Sequence, residues 1–190
     1  MLKRNLIAAT AAALSLAAAP AALAHTTTAG STAGDPTMNV CLVDFDCTYI
    51  NFAHGKPTDV VRHAGTITRW SINVGIFGNP EQVTLRVLRP VHGGAFKAIG
   101  ASAPVTIAGD GVNTFPTRIK VRKGDVLAME NTTSSLLMTV TGPGQSIHYF
   151  DGIAPNGLLA PGATGTPDRV APMLHVPISA TIKLSAAARR

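Results

Sequence analysis

The sequence predicts an all-β protein, a single antiparallel β-sandwich of jelly-roll type, and three observations lead there. Apolar and polar residues alternate with a period of two in segment after segment, the mark of strands with one buried and one wet face. Clusters of Gly, Pro, Asn and Asp separate those segments at short intervals, as turns between strands do. Beyond the N-terminal apolar run no segment carries a helical 3.6-residue period, apart from a short turn near residues 57–61. Many short strands with regular turns and no helices favour a sandwich.

The elements follow in order. Thr48, Ile50 and Phe52 alternate with Tyr49 and Asn51. In residues 65–74, Trp70, Ile72 and Val74 share one face while Ile67 falls on the other, so a bulge near Thr68-Arg69 is expected to return Ile67 to the core. Val83, Leu85 and Val87 alternate with Thr84 and Arg86; Ile119 and Val121 with Arg118, Lys120 and Arg122; Ile178, Ala180 and Ile182 with Ser179, Thr181 and Lys183. The turns lie at Gly78-Asn79-Pro80, Gly93-Gly94, Gly109-Asp110-Gly111, Lys123-Gly124-Asp125, Gly142-Pro143-Gly144 and Pro155-Asn156-Gly157. Their spacing leaves room for roughly eight to ten strands. Alternation places Trp70, Ile72, Leu85, Val87, Ile119, Val121 and Ile182 in the core and Arg86, Lys120 and Lys183 in water.

The N-terminus sets the expected compartment. Lys3 and Arg4 precede an uncharged apolar run from Leu6 to Ala19, and Ala22-Leu23-Ala24 offers small residues for cleavage before His25. Residues 1–24 therefore read as a signal peptide, too short in their apolar part to span a bilayer. The expected mature protein is secreted, with no integral membrane segment. Residues 25–38, rich in Thr, Gly, Ala and Ser, read as a flexible spacer. Residues 39–184 read as the sandwich, and 185–190 as a tail. Cys41 and Cys47 are the only cysteines, and an even count in an exported chain favours a disulfide between them.

The segments Gly65-x-Ile67-x-x-Trp70, Val83-Thr84-Leu85-Arg86-Val87-Leu88-Arg89-Pro90 and Phe115 to Leu127 resemble a group of uncharacterised secreted bacterial β-sandwich proteins. The last also resembles the strand–Lys-Gly-Asp–strand hairpin of jelly-roll domains. The resemblance covers residues 47–184 and implies a fold and a compartment. It carries no catalytic residues to transfer.

The candidate sites are few. Without Lys3 and Arg4 the formal net charge falls from +6 to +4, and the cations are spread thinly, unlike the dense clusters of nucleic-acid binders. Nucleic acid is therefore not an expected partner. No acyl-transfer motif occurs, and the six histidines show no metal-binding spacing. No cofactor and no metal is expected. His25, as a mature N-terminal residue, resembles the copper-chelating histidine of some secreted β-sandwich copper proteins, although its place on a spacer argues against a fixed site. Asp44 and Asp46 could offer two carboxylates to calcium, short of the six to eight oxygens it takes.

Arg118, Lys120 and Arg122 at period two form a basic stripe on one strand face, suited to an anionic envelope glycan, or equally to the wet side of an amphipathic strand. Phe77 and Tyr149 are the aromatics that could stack on sugar, since one of Tyr149 and Phe150 must point outward from a half-buried strand. The expected function is a secreted, non-catalytic module that binds a cell-envelope polymer or a surface protein. The alternative is a secreted carbohydrate-active enzyme or a copper protein using His25.

Overall fold

The computed structural model describes residues 25–38, 46–75, 81–107, 109–131, 138–152, 159–185 and 188. Residues 1–24, Asp44, Cys41 and Phe77 lie outside them, so the expectations placed on those residues do too.

The described strands are β1 (Thr26–Gly30), β2 (Pro36–Met38), β3 (Asp46–Ala53), β4 (Lys56–Pro57), β5 (Gly65–Val74) and β6 (Glu81–Pro90). Then come β7 (Phe96–Ala101), β8 (Val105–Ile107), β9 (Gly111–Val121), β10 (Val126–Asn131) and β11 (Met138–Val140). The chain closes with β12 (Gln145–Gly152), β13 (Thr164–Gly165), β14 (Arg169–Pro172), β15 (Leu174–His175) and β16 (Ile178–Leu184). One 3₁₀ turn, His92–Gly94, interrupts the strands. The short pieces β2, β4, β8, β11, β13 and β15 are the ones that alternation does not reveal, because two or three residues hold no period.

The fold is an all-β sandwich built from antiparallel pairs. One sheet runs β1-β16-β5-β9, and a larger one runs β13-β7-β6-β10-β3-β12-β14, with β4 beside β3 and β8 beside β6. A small sheet, β15-β11-β2, completes the pairings. The main core lies between the two large sheets. Ile67, Trp70, Ile72, Ile119, Val121 and Ile182 from the first meet Tyr49, Leu85, Val87, Leu127, Met129 and Ile147 from the second. Trp70 is fully buried and its ring centroid lies 5.0 Å from that of Phe115. Every core residue that alternation named is buried. The register of β5 slips against β9 between Ile67 and Arg69. That is the bulge the pattern demanded, and it brings Ile67 fully inside.

Two expectations fail. Residues 25–38 are not a bare spacer: β1 pairs with β16 over its whole length, from Thr26 opposite Lys183 to Gly30 opposite Ser179, and β2 pairs with β11. Weighing only apolar burial missed this, since a ladder joins backbones regardless of side chain, and β-branched Thr fits it well. Ala29 supplies the one buried apolar contact of β1. At Gly30, φ is +75°, and a Cβ would collide with the Ile178 carbonyl. Only glycine closes the strand that way.

Arg86, expected in water, is buried and ion-paired with Glu130. The outer face of the larger sheet is itself covered. Ile50, Phe52, Leu88, Phe96, Ala98, Val126, Ala128, Phe150 and Leu159 form a second apolar cluster there, and all six residues of β10 are buried. Alternation holds only where one face is wet, and here both are dry.

Candidate functional site

Among the described residues, the outer face of the four-stranded sheet is a large strand surface left to water. Its outward residues are set by register. Lys120 on β9, Thr66 on β5 and Lys183 on β16 stand in one row, with Thr26 of β1 next to Lys183. Arg69 stands between Thr181 and Pro116 in another row. Arg118 and Lys120 are exposed on β9, and Arg122 is exposed just beyond its end. Arg118, Lys120 and Arg122 are thus all exposed, and the neighbouring strands add Arg69 and Lys183 to the same sheet. None of the residues in the four strands is acidic. Among the described residues none of the five cations is ion-paired.

Two depressions meet at Thr66 and Ser185. One, of about 470 Å³, takes Lys120, Arg122 and Arg89; the other, of about 380 Å³, takes Arg118 and Lys183. Arg89 is held in place by Asp125, with Nε 2.8 Å from Oδ1 and a terminal nitrogen 3.2 Å from Oδ2. Those bonds raise the Arg89 guanidinium further above its ordinary value. Oδ2 of Asp125 also accepts from the Arg122 amide at 2.7 Å. The Lys-Gly-Asp turn thus fixes the backbone at the end of the stripe.

The aromatics fare differently. Tyr149 is half-buried on the core side, with its ring centroid 5.7 Å from that of Tyr49. Phe150 is buried in the outer cluster. Neither is the open stacking surface expected of one of the pair, again because both faces of that sheet are covered. His148 stacks on Phe52 with centroids 3.8 Å apart, and burial lowers its pKa.

Asp59, not singled out by the sequence reading, is buried at 3 % exposure. Its Oδ2 accepts from Asn51 Nδ2 at 2.5 Å, and Thr58 reaches Oδ1 at 3.4 Å. Asn51 also clasps Val176, donating to its carbonyl at 2.8 Å and accepting from its amide at 2.8 Å. Burial raises the Asp59 carboxyl to about 6 against an ordinary 3.8, with the Asn51 and Thr58 bonds opposing. The same side of the molecule holds His175, whose pKa burial lowers. A polar residue at an alternating strand position, such as Asn51, was the available signal.

His25 is exposed, and its carbonyl accepts from the Leu184 amide at 2.9 Å, so its backbone is tied to β16. Among the described residues no three His, Cys, Asp or Glu side chains are grouped to hold a metal ion. Cys47 is buried in β3, and no free cysteine occurs among the described residues; its expected partner Cys41 lies outside them. No helix among them is long and apolar enough to cross a membrane. The geometry defines a β-sandwich with one cationic, hydroxyl-bearing sheet face. No protein-family model matches the chain, and no curated protein or solved structure matches it.

Proposed function

We propose that this chain is an exported, non-catalytic β-sandwich that binds an anionic envelope polymer across the outer face of the four-stranded sheet. The observation that carries the reading is the charge distribution: four cations on β5, β9 and β16, a fifth at Arg122, and no acid in any of the four strands. Arg118 and Lys120 lie about 7 Å apart along their strand, and Lys120 and Lys183 about 10 Å apart across two strand spacings. These separations are comparable to the Debye length of about 8 Å at physiological salt, so neighbouring fields add. Thr66 stands between Lys120 and Lys183, Thr26 beside Lys183 and Thr181 beside Arg69, hydroxyl-bearing side chains suited to bonding sugar or phosphate oxygens.

The competing reading is that the stripe merely guards an edge, since β9 ends the sheet and charges there deter pairing. Arg69 and Lys183 favour the binding reading. They stand on β5 and β16, interior strands of the sheet, where no edge needs guarding.

The test is retention of mature protein on an anionic polysaccharide, such as polygalacturonate, and on a neutral one, such as dextran, across a salt series. Retention on the anionic matrix alone, lost as salt rises, is the expected result. Equal behaviour on both matrices would sink the proposal.

A further inference from the structure

Beyond the β1 edge a cleft of about 530 Å³ opens between β1 and the segment after β4, a volume in the range of small-molecule sites. Thr28, Ser31, Asp59, Arg62, Gln145 and His175 contribute to its lining. We infer that this cleft is a second binding site, for a neutral sugar unit, with the Asp59 carboxylate as the acceptor for ligand hydroxyls.

The lining decides the ligand class. Asp59 is a buried carboxylate without a cation partner among the described residues, engaged by one short bond from Asn51 and one long one from Thr58. A carboxylate has about four lone-pair sites, so two bonds leave acceptor capacity on a residue that lines the cleft. Burial without a counter-ion is costly, and a ligand that donates hydrogen bonds relieves it. The raised pKa of Asp59 has that same cause.

An anionic ligand would meet this carboxylate at close range. A cationic one would meet Arg62. A metal ion would find one carboxylate and one imidazole, too few oxygens for calcium and one ligand short for catalytic zinc. An apolar ligand would strand the hydroxyls and the amide of Gln145. A polyhydroxylated neutral molecule, donor and acceptor at each carbon, satisfies all of them. Asp59 is the single carboxylate among the described lining residues. A pair of acids flanking a glycosidic bond is the usual requirement for hydrolysis, so the chemistry here is binding.

This site is independent of the cationic face, and the experiment separates the two. Backbone amide NMR of the mature protein is recorded with millimolar glucose, galactose, mannose and N-acetylglucosamine, each at low and high salt. At least one sugar is expected to shift the amides of Thr28, Ser31 and Thr58, unchanged by salt. Asp59→Asn should weaken that binding about tenfold, as loss of a charged acceptor does. Gln145→Leu, at an exposed position, should weaken it with little effect on folding. Arg118→Gln should leave it intact. The inference is overturned if none of the four sugars shifts these amides, if glucuronate binds more tightly than glucose, or if both cleft variants bind like wild type.

Discussion

Replacing Asp59 by Asn removes a carboxyl whose pKa the fold raises to about 6 from an ordinary 3.8. The folded chain holds its proton more tightly than the unfolded chain, so folding takes up a proton between those values. Stability from this group is therefore greatest at low pH and declines as pH rises from about 4 through 6, the reverse of a salt-bridged carboxylate. At about 1.4 kcal/mol per pKa unit the full effect is about 3 kcal/mol, of which about 2 to 3 kcal/mol falls between pH 4 and pH 7. The amide does not titrate, and its oxygen can still accept the Asn51 bond. Urea unfolding of wild type and Asp59→Asn at several pH values gives the assay, and taking the difference cancels the lowered His148 and His175, present in both proteins. The variant should gain on wild type by about 2 to 3 kcal/mol from pH 4 to pH 7. A difference that stays flat, or wild type gaining instead, would refute the claim that Asp59 is buried without a compensating cation.

The remaining predictions test the second cluster and the cysteines. Glu130→Ala should cost about 3 to 5 kcal/mol by leaving the buried Arg86 unpaired, whereas Arg86→Met with Glu130→Leu should be near neutral or stabilising; urea midpoints decide, and a single-variant loss under about 1 kcal/mol would place the pair in water. The proposed Cys41–Cys47 bridge should lower the intact mass of the non-reduced mature protein by about 2 Da relative to the dithiol; two thiols reactive under native conditions would exclude it.

Much of the sandwich was legible because period-two alternation reports a sheet with one dry face. The four-stranded sheet is such a sheet, and Trp70, Ile72, Ile119 and Ile182 lie inward as their positions dictate. Even the bulge at Thr68-Arg69 was forced by the misplaced parity of Ile67. The larger sheet was less legible, because coverage of its outer face depends on residues distant in sequence, such as Leu159, which joins the cluster that holds Phe52. The continuous run Val126-Leu127-Ala128-Met129 was the local sign that β10 is dry on both sides. The stripe on β9 was readable along one strand, but Arg69 and Lys183 join it only through cross-strand register. Asp59 was hardly readable: a polar Asn51 at an alternating position hinted at a buried bond, but nothing in the sequence shows that its partner is Asp59.

The central claim, that the cationic face binds an anionic polymer, is tested most directly by the variant carrying Arg118→Gln, Lys120→Gln and Arg122→Gln. These three side chains are exposed, so their loss should alter folding stability by no more than about 0.5 kcal/mol. The measurement is the affinity of this variant and of wild type for polygalacturonate at low salt, with thermal unfolding recorded on the same samples. The account predicts a loss of affinity of about tenfold or more with the melting curve unmoved. Equal affinity of variant and wild type, at equal stability, would contradict it.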